Sequence, residues 1–262
     1  MEFRTIVDIP KPDFEIAPCE EMLFVGSCFA TEIGRRFQEE KFRAVVNPYG
    51  VMYNPTSILH TVERWATSPC VVFLTLGTNH IYRLKETGEI VDNCQKRPQS
   101  LFTEEELSVD ACADYLQKTI DILRQRNPEV NIVLTVSPIR YRKYGYHESQ
   151  LSKATLLLAV EKVTGATYFP AYEILNDELR DYRFYKEDML HPSDQAVEYI
   201  WERLSDVYLS AEAKAFLKEW APLKAVLNHK PFDPDSEEYR TLMDKTMLKV
   251  AALQKKYPNF AV

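Results

Sequence analysis

Met22-Leu23-Phe24-Val25-Gly26-Ser27-Cys28-Phe29-Ala30 is the stretch from which the fold of this chain can be read. An apolar run, residues 22–25, stops at Gly26-Ser27, and an amphipathic helix pattern begins at once. Phe29, Ile33 and Phe37 recur every four residues and line one helix face, while Thr31, Glu32, Arg35, Arg36 and Glu39 take the rest. The pattern predicts a buried strand handing over to a helix. Ser27 then stands at the carboxyl end of a strand beside a helix N-terminus, where α/β folds bind ligands. Backbone N–H groups at such a position suit a nucleophile whose transition state is anionic.

Working outward, residues 42–46, 71–76 and 130–136 read as strands, and 166–169 as a last short one. Between them Thr103 to Glu106 has the form of a capping box, followed by a helical stripe of Leu116, Ile120 and Leu123. Residues 150–163 form the next helix pattern. Ser193 caps another through about residue 207, with Val197, Ile200, Trp201 and Leu204 on its buried face. Alternating strands and helices imply right-handed crossovers and a sheet covered on both faces. The expected fold is therefore a three-layer α/β/α sandwich with a mainly parallel sheet. Residues 1–20, with three Pro and no sustained period, read as an extended lead-in.

From Ser210 the character changes. Two helix patterns, 211–228 and 235–256, flank the break at 228–234 and predict a C-terminal helical appendage, giving a 1–209 domain and a 210–262 extension packed on it. In the second pattern Leu242, Met243, Met247, Val250 and Leu253 form a stripe that must pack on the domain or on a partner chain, and its own domain is the favoured surface. An oligomer through these helices is the other reading.

The chain has 262 residues, 45% hydrophobic and 27% charged, which is the composition of an ordinary globular protein with ample length for a large core. Its net charge of −7 and the lack of a Lys/Arg-rich block argue against nucleic acid as a partner. Neither a signal-peptide pattern nor a run near the length of a membrane span is present, so the expectation is a cytoplasmic protein that engages no membrane. The five Cys are scattered without ligand spacing, which fits reduced thiols rather than a disulfide framework or a metal site.

For chemistry, a serine hydroxyl needs a base, and imidazole oriented by a carboxylate serves near neutral pH. Asp188 and His191, three residues apart and fixed by Pro192, can form such a pair: the carboxylate holds one ring nitrogen and the other faces outward. Their bland alternative is a surface capping loop, and that of Ser27 is a helix cap. Cys28 is the rival nucleophile at the same helix start, although its side chain is expected to turn away from that of Ser27, into the core. Arg180, Tyr182 and Arg183 precede the pair and could contact substrate.

Gly26 to Ala30 also reads GSCFA, and the chain resembles the GSCFA domain family. Further motifs carry the resemblance: Asn47 to Gly50 with Tyr53 to Pro55, Thr75 to Thr78, Asn93 to Lys96, Val136 to Pro138, Ser152 to Ala154, Tyr168 to Pro170, Asp181 to Tyr185, and Asp188 to Pro192. The family looks like a branch of the SGNH, or GDSL-like, hydrolases. That resemblance implies a cofactor-free esterase in which Ser27, His191 and Asp188 form a triad, and it implies oxyanion donors from Ser27, Gly50 and Asn79, with Asn93 as the runner-up. By analogy of fold the substrate is an O-acetyl carbohydrate or a similar small-molecule acyl ester. A binding or scaffold protein that keeps the fold is the alternative. The chain departs from the pattern where no Asp precedes Ser27, where His80 replaces the Asp of G-x-N-D, and where Gln95 and Tyr141 replace His.

Overall fold

The handover at Gly26-Ser27 builds the centre of the molecule. Strand β1 (Glu21–Gly26) runs into helix α1 (Cys28–Glu39) across the single residue Ser27. The computed structural model describes residues 3–92 and 97–261. β1 pairs in parallel with β2 (Arg43–Val46) on one side and β3 (Val71–Leu76) on the other. β3 pairs with β7 (Asn131–Val136), and β7 with β8 (Thr167–Tyr168), again in parallel, so the strand order is β2-β1-β3-β7-β8. After β2 the chain returns past β1 to form β3. The direction of winding therefore reverses at β1, and the carboxyl ends of β1 and β3 border the crevice where such sheets bind ligands.

Alternation along each strand feeds two cores. Phe24, Phe73 and Val133 face α1 and α6 (Asp194–Tyr208), where Phe29, Phe37 and Trp201 meet them. Phe24 stacks on Phe73 at 4.9 Å, and Phe37 packs edge-on against Trp201 at 4.6 Å. Leu23, Val25, Val72, Leu74 and Leu134 face the opposite layer of α2 (Pro55–Arg64), α3 (Val109–Arg126) and α4 (Tyr146–Val160). The architecture is thus α/β/α with a parallel sheet buried on both faces, which is why its strands read as continuous apolar runs.

Three local readings change. Thr103 to Glu106 is not a capping box but most of strand β6 (Phe102–Glu106), which joins β4 (His80–Leu84) and β5 (Ile90–Val91) in a small antiparallel sheet of order β5-β4-β6. Cross-strand pairing decides the outcome: Arg83 binds Glu105 and the Tyr82 hydroxyl binds Glu104, contacts that an isolated acidic first turn could not make. Ser108 caps α3 instead. Helix α2 adds to the expected elements: it buries Ile58, Leu59 and Val62 at helical spacing and is set by Asn54 at its cap and Pro55 in its first turn. α4 begins at Tyr146 rather than at residue 150.

β8 leads into the short α5 (Ala171–Glu173), which widens into a π-turn at Ile174–Leu179. At the C-terminus α7 (Ala211–Leu227) and α8 (Glu237–Lys256) extend the α1/α6 core through Phe216, Trp220, Val250, Leu253, Tyr257 and Phe260. Trp220 Nε1 donates to the Glu39 carbonyl at the end of α1 at 3.1 Å. Of the apolar stripe on α8, Val250 and Leu253 are buried, whereas Leu242 and Met247 are exposed. No helix among the described residues is long and apolar enough to cross a membrane.

Candidate active site

Gly26 has φ +146°, and a Cβ there would lie 2.1 Å from the Thr75 carbonyl oxygen, so only glycine lets β1 turn into α1 against β3. The turn is pinned by Gly26 N donating to Asn47 Oδ1 (2.9 Å), Ser27 N to Thr75 O (3.1 Å) and Met52 N to Gly26 O (2.9 Å). Ser27 then caps α1: its Oγ accepts from Phe29 N at 3.3 Å and donates to Ser137 Oγ, at the end of β7, at 2.9 Å. The Ser27 carbonyl accepts from Ala30 N. Among the described residues these contacts leave the N–H of Cys28 unclaimed in the first turn.

The two adjacent side chains face the reverse of the expected directions. Ser27 is fully buried, and the Cys28 side chain is only partly buried and lies on the wall of a cleft of about 430 Å³. Capping alone does not bury a serine, since Ser108 caps α3 and is exposed; Ser27 is drawn inward by Ser137 at the end of β7. Tyr53, His80, Tyr141, Tyr144 and His191 share that wall with Cys28. Cys28 Sγ is 3.7 Å from the Tyr53 hydroxyl. Tyr53 is fixed in turn by its carbonyl, which accepts from Gly77 N and Thr78 N at 2.8 Å each.

His191 arrives on the loop before α6. Its Nδ1 is 2.6 Å from Asp188 Oδ2, and Asp188 Oδ1 accepts from Leu190 N (2.8 Å) and His191 N (3.0 Å). The backbone N–H of His191, that of Leu190 and the imidazole together hold the Asp188 carboxyl down at about 2, so it is ionised at any working pH. With Nδ1 bound, Nε2 is the ring nitrogen available to a reactant. The loop itself is tied down by Lys186 N to His191 O (2.8 Å) and Arg140 N to Leu190 O (3.0 Å).

The remaining sequence-predicted residues lie elsewhere. Gly50 N donates to Asn47 O in a tight turn at φ +95°, and Gly50 is not part of the cleft wall. Asn79 turns its amide away: Nδ2 donates to the Leu107 carbonyl at 2.9 Å, tying the small sheet to the loop before α3, and the side chain does not line the cleft. The Gly50 N–H and one N–H of the Asn79 amide are thus engaged by local carbonyls, and neither residue lines the cleft. Asn93 and Gln95 lie outside the described residues. Arg180 and Tyr182 line a second, neighbouring depression that shares Arg140 with the first, and Arg183 is exposed on its loop, beside Asp181 at 3.9 Å.

The GSCFA family model matches residues 21–70 and 66–204. This chain belongs to the GSCFA family. A second model, the C-terminal domain of GSCFA domain proteins, matches residues 220–262 of this GSCFA protein. Comparison with curated proteins finds no match. Solved structures similar to it include a carbohydrate esterase family 3 protein from Talaromyces cellulolyticus, at 11% identity and TM-score 0.45, covering 76% of this chain and 99% of that one. Another is the psychrotrophic esterase EstA from Pseudoalteromonas sp., at 15% identity and TM-score 0.41, covering 77% and 98%.

Two features of the candidate site were not singled out by the sequence, although both lie in motifs that carry the family resemblance. One is Tyr53 beside the thiol. The other is Lys153, which is buried, has no carboxylate partner among the described residues, and donates from Nζ to the carbonyls of Gly77 (2.7 Å) and Ser137 (2.8 Å). It ties the carboxyl ends of β3 and β7 together beneath the cleft, and burial pulls its ammonium down to about 7. His80, on the cleft wall, stacks on Tyr144 at 3.8 Å, and burial lowers its pKa below the ordinary histidine value.

Proposed function

We propose that this protein cleaves an acyl ester by transfer of the acyl group to Cys28 Sγ, with His191 as general base and Asp188 as the carboxylate that orients it. The observation that carries this reading is that Cys28 and the Asp188-held imidazole line one cleft while the Ser27 hydroxyl is buried as a helix cap. In the first half-reaction His191 Nε2 takes the thiol proton and Sγ attacks the ester carbonyl carbon. The C=O π pair moves to oxygen. Collapse of the tetrahedral intermediate breaks the C–O bond, and the leaving alkoxide takes the proton from His191. In the second half a water gives its proton to His191 and attacks the thioester, and Sγ departs and is reprotonated. Negative charge forming on Sγ or on the carbonyl oxygen meets the positive end of α1 and the unclaimed N–H of Cys28.

Tyr53, Tyr82, Tyr141 and Tyr144 line the cleft, which suits an ester with a flat or sugar-like face. An O-acyl carbohydrate fits that chemistry. The test is a panel of acyl esters against wild type, Cys28→Ala and Ser27→Ala, with iodoacetamide as the thiol probe. Turnover should vanish in Cys28→Ala and after alkylation, and persist in Ser27→Ala. Turnover lost in Ser27→Ala and retained in Cys28→Ala would restore the serine mechanism. No turnover of any ester by wild type would favour the binding-protein alternative.

A further inference from the structure

Of the buried side-chain polar atoms that lack a hydrogen-bond partner among the described residues, only the Tyr141 hydroxyl belongs to a residue that lines the cleft; the hydroxyls of Thr56, Thr135, Ser205 and Tyr208 lie on residues that do not. An unpaired buried hydroxyl is costly and calls for an explanation. The Tyr141 ring cannot swing to find an acceptor. It meets Tyr53 edge-on (5.7 Å, 87°), lies parallel to Tyr144 (11°), and has the Lys153 ammonium 5.8 Å from its centroid. Its backbone N–H is held by Ser149 Oγ at 3.1 Å. The phenol is therefore held by Tyr53, Tyr144 and Lys153 while its one polar atom is buried without a partner. Burial, and then Tyr53 and Cys28 nearby, push its pKa well above the ordinary tyrosine value, so it stays a donor.

The residues expected to supply oxyanion donors, Gly50 and Asn79, bind other carbonyls and do not line the cleft. We infer that Tyr141 supplies the missing hydrogen bond: its hydroxyl donates to the carbonyl oxygen of the acyl group carried on Cys28, and to the negative charge that grows there. This rests on the acyl-transfer reading. No proton changes hands at Tyr141. The electron pair displaced by Sγ attack comes to rest on the carbonyl oxygen, which the phenol O–H and the Cys28 N–H then share, until collapse returns the pair and expels the alkoxide. A donor pre-aimed in a water-poor site needs no reorganisation when the charge appears.

The test is Tyr141→Phe, which keeps the ring and removes only the oxygen. With p-nitrophenyl acetate, kcat should fall about 10²-fold or more with KM nearly unchanged, the signature of an interaction formed in the transition state. Alkylation of Cys28 by iodoacetamide proceeds through no carbonyl oxyanion and should keep its wild-type rate, and the melting temperature should hold or rise because an unpaired buried hydroxyl is gone. A kcat within about threefold of wild type, with Cys28→Ala inactive, would overturn the role of Tyr141 and leave the acyl-transfer reading standing. Equal loss of alkylation and turnover, or a lowered melting temperature, would make Tyr141 a structural support and overturn the inference as well. Full activity in Cys28→Ala would sink both.

Discussion

Cys28 Sγ stands 3.7 Å from the Tyr53 hydroxyl on the wall of the cleft, and the residue before it, Ser27, is turned inward to Ser137. The two neighbours divide the work of one helix start. Ser27 closes the first turn and joins β1 to the end of β7, while Cys28 brings a thiol and a free N–H to the surface that His191 shares.

If Ser27 is a cap and a cross-strand tie, Ser27→Ala should cost about 1–2 kcal/mol in urea unfolding, since a cap and a buried hydrogen bond are both lost. The folded variant should keep kcat within a few-fold. Loss of all turnover with unchanged stability would assign the chemistry to the serine.

Gly26→Ala tests the handover itself. A Cβ 2.1 Å from the Thr75 carbonyl, on a residue at φ +146°, can be relieved only by pulling β1 away from β3. The variant should be largely insoluble or melt far below wild type. A melting temperature near that of wild type would mean that the turn is more pliant than its contacts indicate.

For Asp188→Asn, kcat should fall sharply with the fold retained, because the amide no longer fixes the imidazole tautomer; in the chymotrypsin template that change costs about 10⁴. Acid stability gives a second readout. The folded-state pKa of Asp188, about 2, lies below the ordinary carboxyl value, so its contribution to stability is present above that ordinary value and is lost as pH falls towards 2. The variant should show a shallower acid limb over that window in melts at stepped pH. An unchanged limb would mean that the hydrogen bonds to Asp188 persist equally in the unfolded chain.

Lys153 gives the same slope from the opposite cause, a buried charge that destabilises rather than one that is stabilised. Its folded-state pKa of about 7 lies below the ordinary lysine value, so between them the unfolded chain binds more protons and stability rises with pH. The penalty for a buried ammonium is constant below pH 7 and fades towards the ordinary value, about 10.4. Wild type should therefore gain on Lys153→Met between pH 7 and 10 in paired thermal melts. A stability difference flat across that range would place a full charge on Lys153 throughout.

The parallel sheet was legible because strands buried on both faces leave continuous apolar runs, and the α1 stripe because Phe29, Ile33 and Phe37 repeat at helical spacing. Strand β6 was not, because Thr103 to Glu106 satisfies a capping pattern locally and only Arg83 and Tyr82, on the partner strand, reveal the pairing. At the site, the spacing of Asp188 and His191 carried the dyad, since both partners lie within one turn. The facing of Ser27 and Cys28 could not be read in the same way. Adjacent residues at a helix start point in different directions, and which one enters the core depends on Ser137, far along the chain. Asn79 was assigned by its place after β3, but the loop before α3 offers the Leu107 carbonyl that claims its amide.

The most direct measurement is to trap the acyl-enzyme. Wild-type protein mixed with p-nitrophenyl acetate and quenched in acid within the burst should carry a single acetyl group by intact mass, and peptide mapping should locate it on Cys28 as a hydroxylamine-labile thioester. The adduct should form in wild type and Ser27→Ala and be absent in Cys28→Ala. An acetyl group on Ser27, surviving in Cys28→Ala, would contradict it.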